Sequence, residues 1–133
     1  MTVPLRLALA AIFIAHGSQK VFGAFGGKGL MAWVGGSAPL GLRPAWLWLG
    51  AAAFCEFLGG CLVFLGLLTR VGAFMIICVM VVAMTGVHWG TFFAPTGIEY
   101  SLSLLGISLA LLISGGGAAS VDRSLMDSRG RRR

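Results

Sequence analysis

Glu56 is the only charged residue between Arg43 and Arg70, in the middle of a long apolar run. A carboxylate at that depth in a membrane span persists only with a partner, in its neutral form, or facing a polar cavity, and intramembrane ionisable groups mark functional sites. The side chains that could partner it are few. His16, Gln19 and Lys20 have i, i+3, i+4 spacing and share one helix face. His88 lies a turn beyond Thr85, and Glu99 a turn before Ser103. A carboxylate with an imidazole can relay protons, so Glu56, His16 and His88 form the candidate catalytic set. An ammonium, an amide and a second carboxylate can hold a polar headgroup, so Lys20, Gln19 and Glu99 form the candidate binding set. Which of them pair is left open by spacing alone.

Other chemistry is less well supported. His16, His88 and Glu56 offer nitrogen and oxygen donors of the kind a transition metal takes. No compact ligand spacing accompanies them, so no metal is assigned. There is no phosphate-binding loop in a strand–helix context and no Ser/His/Asp arrangement. Each residue also has a plainer role available. Lys20 can reach the headgroups along its stem, His88 beside Trp89 can anchor an interface, and Glu99 can favour the first turn of a helix. Cys55, Cys61 and Cys78 all fall within apolar runs and read as small packing residues. A redox pair between Cys78 and a cysteine of the second span remains open.

The elements that would position these residues are four apolar spans. They run from about Pro4 to Phe22, Ala45 to Leu67, Val71 to Trp89 and Ile98 to Ile113. A span needs about 20 apolar residues; the fourth is short. A glycine-rich loop, Gly23 to Pro44, joins the first two, and a tight turn at Leu68–Arg70 joins the second and third. Gly59 and Gly60, one turn from Glu56, and Ala52 on the other side let a neighbouring helix approach, which turns Glu56 inward. The fold class is all-α: a four-helix transmembrane bundle over residues 1–118, followed by a basic tail, 119–133. Within the tail, Ser120 to Met126 reads as a short interfacial helix with Asp122 near its start.

Composition agrees. Of 133 residues, 58% are hydrophobic and only 11% charged, too apolar for a soluble domain. The net charge of +6 is not a nucleic-acid footprint, because it gathers in the tail at Arg123, Arg129, Arg131, Arg132 and Arg133. Those arginines with Arg6 and Arg70 outnumber Lys20, Lys28 and Arg43, which places both termini in the cytoplasm. The first segment is read as a retained span rather than a cleaved leader, since its apolar stretch resumes at Val21.

Three stretches carry a resemblance to a known family. Glu56–Arg70 reads EFLGGCLVFLGLLTR, with E-x-x-G-G followed by G-x-x-T-R; His16–Gly23 reads HGSQKVFG; Gly115–Leu125 reads GGGAASVDRSL. Together these resemble the DoxX family of small four-helix membrane proteins. The matching positions are His16, Lys20, Glu56, Gly59, Gly60, Thr69, Arg70 and His88, with Glu99-Tyr100 a looser match. The resemblance implies a multi-pass protein of a bacterial or archaeal cytoplasmic membrane. It further implies a subunit tied to quinone, thiol or sulfur redox chemistry, as in quinol oxidase, thiosulfate:quinone oxidoreductase and oxidative-stress complexes. The implied cofactor is a quinone, and the implied partners are the bilayer, redox-enzyme subunits and further copies of the chain. With no flavin, haem or iron–sulfur motif, catalysis by the chain alone is not expected. Two other readings stand beside this one: a transporter or channel for a small solute or proton, and a structural scaffold in which Glu56 and Lys20 fix helix register.

Overall fold

The structure is a computed structural model and describes residues 2–87, 89–93 and 97–131. The described residues form helices and turns, with no strand. Four long helices carry the architecture: α1 (Val3–Val21), α3 (Ala45–Leu65), α4 (Thr69–Gly86) and α5 (Glu99–Ser114). Two short ones complete it, α2 (Leu30–Val34) and α6 (Val121–Gly130). Helix α3 packs between α1 and α4, and α5 lies on α4 and touches α1. Among the described residues α3 and α4 are long and apolar enough to cross a membrane. Helix α1 with the chain after it, bent by 89°, makes a third candidate.

Helix boundaries follow local chemistry. Pro4 sits in the first turn of α1, where its missing N–H leaves no bond unmade. Helix α3 stops at Leu65, two residues before the sequence suggested. Gly66 takes φ 68, and the N–H groups of Gly66 and Leu67 turn back to the carbonyls of Val63 and Leu62. A left-handed residue closing a helix in this way is usually glycine, because a Cβ is disfavoured there. Helix α4 begins at Thr69, earlier than Val71, because Asp122 caps it from a distance. The carboxylate accepts from the Leu68 N–H at 2.7 Å, the Thr69 N–H at 3.0 Å and the Thr69 hydroxyl at 3.1 Å. Leu68 itself is held at φ 47 and ψ 44, a left-handed conformation that costs an L residue about 1–2 kcal/mol.

The core joins Leu9, Phe13, Val63, Ile76, Leu104 and Leu111 from all four long helices. Close backbone packing rests on glycine. A Cβ on Gly17 would lie 2.6 Å from the Phe57 backbone, and one on Gly60 would lie 2.9 Å from the Ile14 nitrogen. Gly59 turns to the other side and meets Gly72 of α4. One glycine of the pair thus faces α1 and the other faces α4. The outer surface of the bundle is apolar, with Phe54, Leu58, Phe64, Phe74, Leu102, Leu109 and Ile113 exposed. A continuous exposed apolar belt of this kind fits lipid rather than water.

The start of α1 and the segment after α5 meet at one end of the bundle around Arg6. Composition treats Arg6 as a flanking charge; the structure buries it at 4% exposure. Its guanidinium donates to the Val63 and Phe64 carbonyls at 3.0 and 2.8 Å, and to those of Gly116 and Ala119 at 3.1 and 2.5 Å. It therefore satisfies the last carbonyls of α3 and ties the post-α5 loop to them. The start of the basic tail is bonded in the same way: the Asp122 N–H reaches the Gly66 carbonyl at 3.0 Å. Helix α6 runs further than the sequence suggested, from Val121 to Gly130, with the Ser120 hydroxyl accepting from the Arg123 N–H.

Candidate functional site

The opposite end holds the ion pair. Lys20, near the end of α1, donates to both oxygens of Glu56 at the middle of α3, at 2.5 and 2.7 Å. The carboxylate side chain is 6% exposed and the lysine 20%. The glycines at 17 and 60 bring α1 against α3, and the four-carbon stem of Lys20 spans the remaining gap. Trp33 of α2 covers the pair: its ring centroid lies 4.4 Å from the Lys20 Nζ, within cation–π range. The indole N–H is anchored on the Leu49 carbonyl at 2.8 Å. Phe22 and Phe57 close the adjacent seam edge-to-face, 5.2 Å between centroids.

The pair forms one wall of a cavity of about 450 Å³ between α3 and α4, roofed by the segment after α2. The remaining lining is mostly apolar: Pro39, Leu42, Trp48, Leu49, Ala52, Val79, Val82 and Ala83. Cys55, Cys78 and Ser37 are its other polar edges. An apolar hollow with a few convergent polar groups is the usual form of a small-molecule site.

The sequence-derived candidates divide. Lys20 and Glu56 are brought together. Gln19 donates to the Phe25 carbonyl at 3.4 Å, next to the pair but outside the cavity wall. His16 lies on the exposed side of α1, with Nδ1 3.1 Å from the Ile12 carbonyl. Glu99 is half-buried in the first turn of α5, and its backbone carbonyl accepts the Ser103 hydroxyl at 2.9 Å. It does not line the cavity. His88 lies outside the described residues. Among the described residues no three His, Cys, Asp or Glu side chains gather as metal ligands.

Sequence reasoning gave Trp33 and Trp48 no place in the site, and it read Cys55 and Cys78 as packing residues with a redox pair left open, without a cavity between them. The signal for Trp33 was present in the apolar LMAWV stretch inside an otherwise glycine-rich loop.

A family model named DoxX matches residues 1–89, two-thirds of the chain and all of the Lys20–Glu56 site. The chain belongs to the DoxX family. With its apolar helices, that makes it a multi-pass membrane protein. No curated protein and no solved structure matches it.

A second hollow of about 530 Å³ lies at the other end, beside Thr69, Arg70, Gly115–Gly117 and Arg123. Its polar walls already bond to the protein. Arg70 donates to the Ile113 carbonyl at 3.1 Å and Asp122 caps α4. Partial burial pushes the Asp122 carboxyl up. The N–H groups of Thr69 and Leu68, the Thr69 hydroxyl and the Arg6 charge outweigh that and hold it below its ordinary range.

Proposed function

We propose that this DoxX-family chain is a non-autonomous subunit of a membrane redox complex and binds a quinone headgroup in the Trp33-covered cavity. Its four long helices all cross the bilayer and both termini face the cytoplasm, so the Lys20–Glu56 pair lies in the outer half. The ammonium donates to a quinone oxygen, Trp33 and Trp48 flank the ring, and the apolar wall accepts the isoprenoid side. Lys20 and Glu56 then deliver protons that must accompany electrons onto the ring, in a site that excludes bulk water. His16 and His88 remain candidates to connect the pair to the outer aqueous phase.

The observation that supports this reading most is a buried carboxylate–ammonium pair set in an otherwise apolar cavity. A polar solute crossing the membrane would need more polar partners along its path than that wall offers, which weighs against a transporter. The test uses purified protein in lipid nanodiscs. A short-chain ubiquinone analogue should quench tryptophan fluorescence saturably, and quinone should co-extract from native membranes. Ala52→Phe, which fills the cavity, should weaken binding at least tenfold. Unsaturable quenching that Ala52→Phe leaves unchanged would overturn the proposal.

One observation favours a second reading, the scaffold. Both carboxylate oxygens are engaged by Lys20, and no buried side-chain nitrogen or oxygen among the described residues lacks a partner. Removing one member of a buried pair leaves an uncompensated charge. If register is the whole role, Lys20→Met with Glu56→Gln should be more stable than either single variant and should keep wild-type quinone affinity.

A further inference from the structure

The cavity contains a second reactive pair that the proton chemistry of Lys20 and Glu56 does not use. Cys55 of α3 and Cys78 of α4 both line it. The two helices run antiparallel, and their glycine contacts put the two cysteines at about the same height. Gly59 meets Gly72 and Ile76, and Gly72 in turn meets Leu62 and Val63. Moving one turn toward the cavity on each helix brings Cys55 level with Cys78. The glycine contacts hold the two backbones close just below this level. The two thiols lie within electrostatic reach of each other and of Glu56. A disulfide needs Cα atoms about 4.4–6.8 Å apart; Cys78, two residues past Ile76, lies beside the α4 face that meets Gly59, so closing the bond requires α4 to turn Cys78 toward α3. Cys55 is half-buried and Cys78 exposed, and neither is in a disulfide. Cys61, on the same helix as Cys55, does not line the cavity.

We propose that Cys55 and Cys78 form a redox-active dithiol that reduces the quinone bound in this cavity. The inference rests on the quinone-site reading above. The reaction balances within the site: two thiols become one disulfide, giving up two electrons and two protons, and the quinone takes both to become the quinol. One sulfur–sulfur bond forms, two S–H bonds break, and the two quinone oxygens each gain a proton. The thiols are regenerated by an external dithiol, which exchanges with the disulfide through a mixed-disulfide intermediate. The chain would thereby couple thiol oxidation to the quinone pool.

The test uses the full chain in nanodiscs, reduced with a phosphine and freed of excess reductant. A fully substituted ubiquinone analogue is added, because an unsubstituted ring would alkylate thiols directly. Differential alkylation with mass spectrometry reads the thiols, absorbance reads the quinol, and saturable tryptophan quenching reads binding. The expected result is loss of two alkylatable thiols, mapped to Cys55 and Cys78, with about one quinol per chain. Cys55→Ser and Cys78→Ser should each lower quinol yield at least tenfold while quenching persists, and Cys61→Ser should match the wild type. Saturable quenching with all three thiols still alkylatable would overturn the dithiol and leave the quinone site standing. A quinone adduct on one cysteine in place of the disulfide would overturn it equally. Absence of saturable quenching would overturn the quinone site and the dithiol together.

Discussion

At the terminal end of the bundle, one guanidinium donates to four backbone carbonyls and one carboxylate accepts three bonds from the start of α4. At the Trp33 end, Lys20 and Glu56 have each other and an apolar hollow. Both ends bury charge, but in different currencies. Arg6 and Asp122 spend theirs on backbone groups that helix ends leave unsatisfied, and so they fix where α3 stops and α4 starts. Lys20 and Glu56 satisfy no backbone group. Their charges neutralise one another at the edge of a space large enough for a ligand. Charge used on the backbone is architectural. Charge facing a cavity is, on the proposed reading, kept available for chemistry.

Substitutions can break this contrast, and the largest effect belongs to the terminal end. Arg6→Met leaves four carbonyls without their donor. Because hydrogen bonds to charged groups are worth about 1.5–3 kcal/mol each and do not add fully, a loss of about 4 kcal/mol is expected. Thermal unfolding in detergent should show it, and protein that remains folded should keep wild-type quinone affinity. Next comes Glu56→Gln. It leaves Lys20 without its counter-charge and should cost about 3 kcal/mol, the low end for one member of a buried pair. Lys20→Met introduced together with it should recover part of that loss. Quinone affinity should fall in both variants, which separates a working site from a mere register pin.

Asp122→Asn should have a smaller effect, about 1 kcal/mol, comparable to the loss of a helix cap. Its pH signature is distinctive. The folded carboxyl titrates below its ordinary value of 3.8, so its contribution is complete above that value and is lost as pH falls through the lower folded one. The wild type should therefore lose stability below about pH 4 by an increment that Asp122→Asn lacks, measured by unfolding at stepped pH. The smallest change expected is Trp33→Phe. It keeps the ring over Lys20 and loses the bond to the Leu49 carbonyl, for about 1 kcal/mol or less.

Much of the fold was legible because its signal is local. Continuous apolar runs define α1, α3, α4 and α5 within a few residues. The depth of Glu56 pointed to a partner, a neutral form or a polar cavity, with Lys20 one of several possible partners; the fold brings Lys20 to it. What could not be read depends on distant contacts. Arg6 looks like any basic flank until α3 and the Gly116–Ala119 loop are folded against it. Asp122 seemed to serve its own helix, yet it caps α4. The start of α4 at Thr69 therefore follows from a residue more than fifty positions away. Helix α2 is too short to show a period, and its packing on α3 through Trp33 holds it in place. The direction of His16 was also hidden. It shares a face with Lys20 by spacing, but only the long lysine stem reaches α3, while the imidazole stays on the exposed side.

The most direct test compares quinone affinity in nanodiscs for the wild type, the Lys20→Met with Glu56→Gln double variant, and Asp122→Asn. The expected result is affinity at least tenfold weaker in the double variant and within twofold of wild type in Asp122→Asn. Equal affinity in all three would contradict a functional role for the Lys20–Glu56 pair and leave it as architecture, like the charges at the other end.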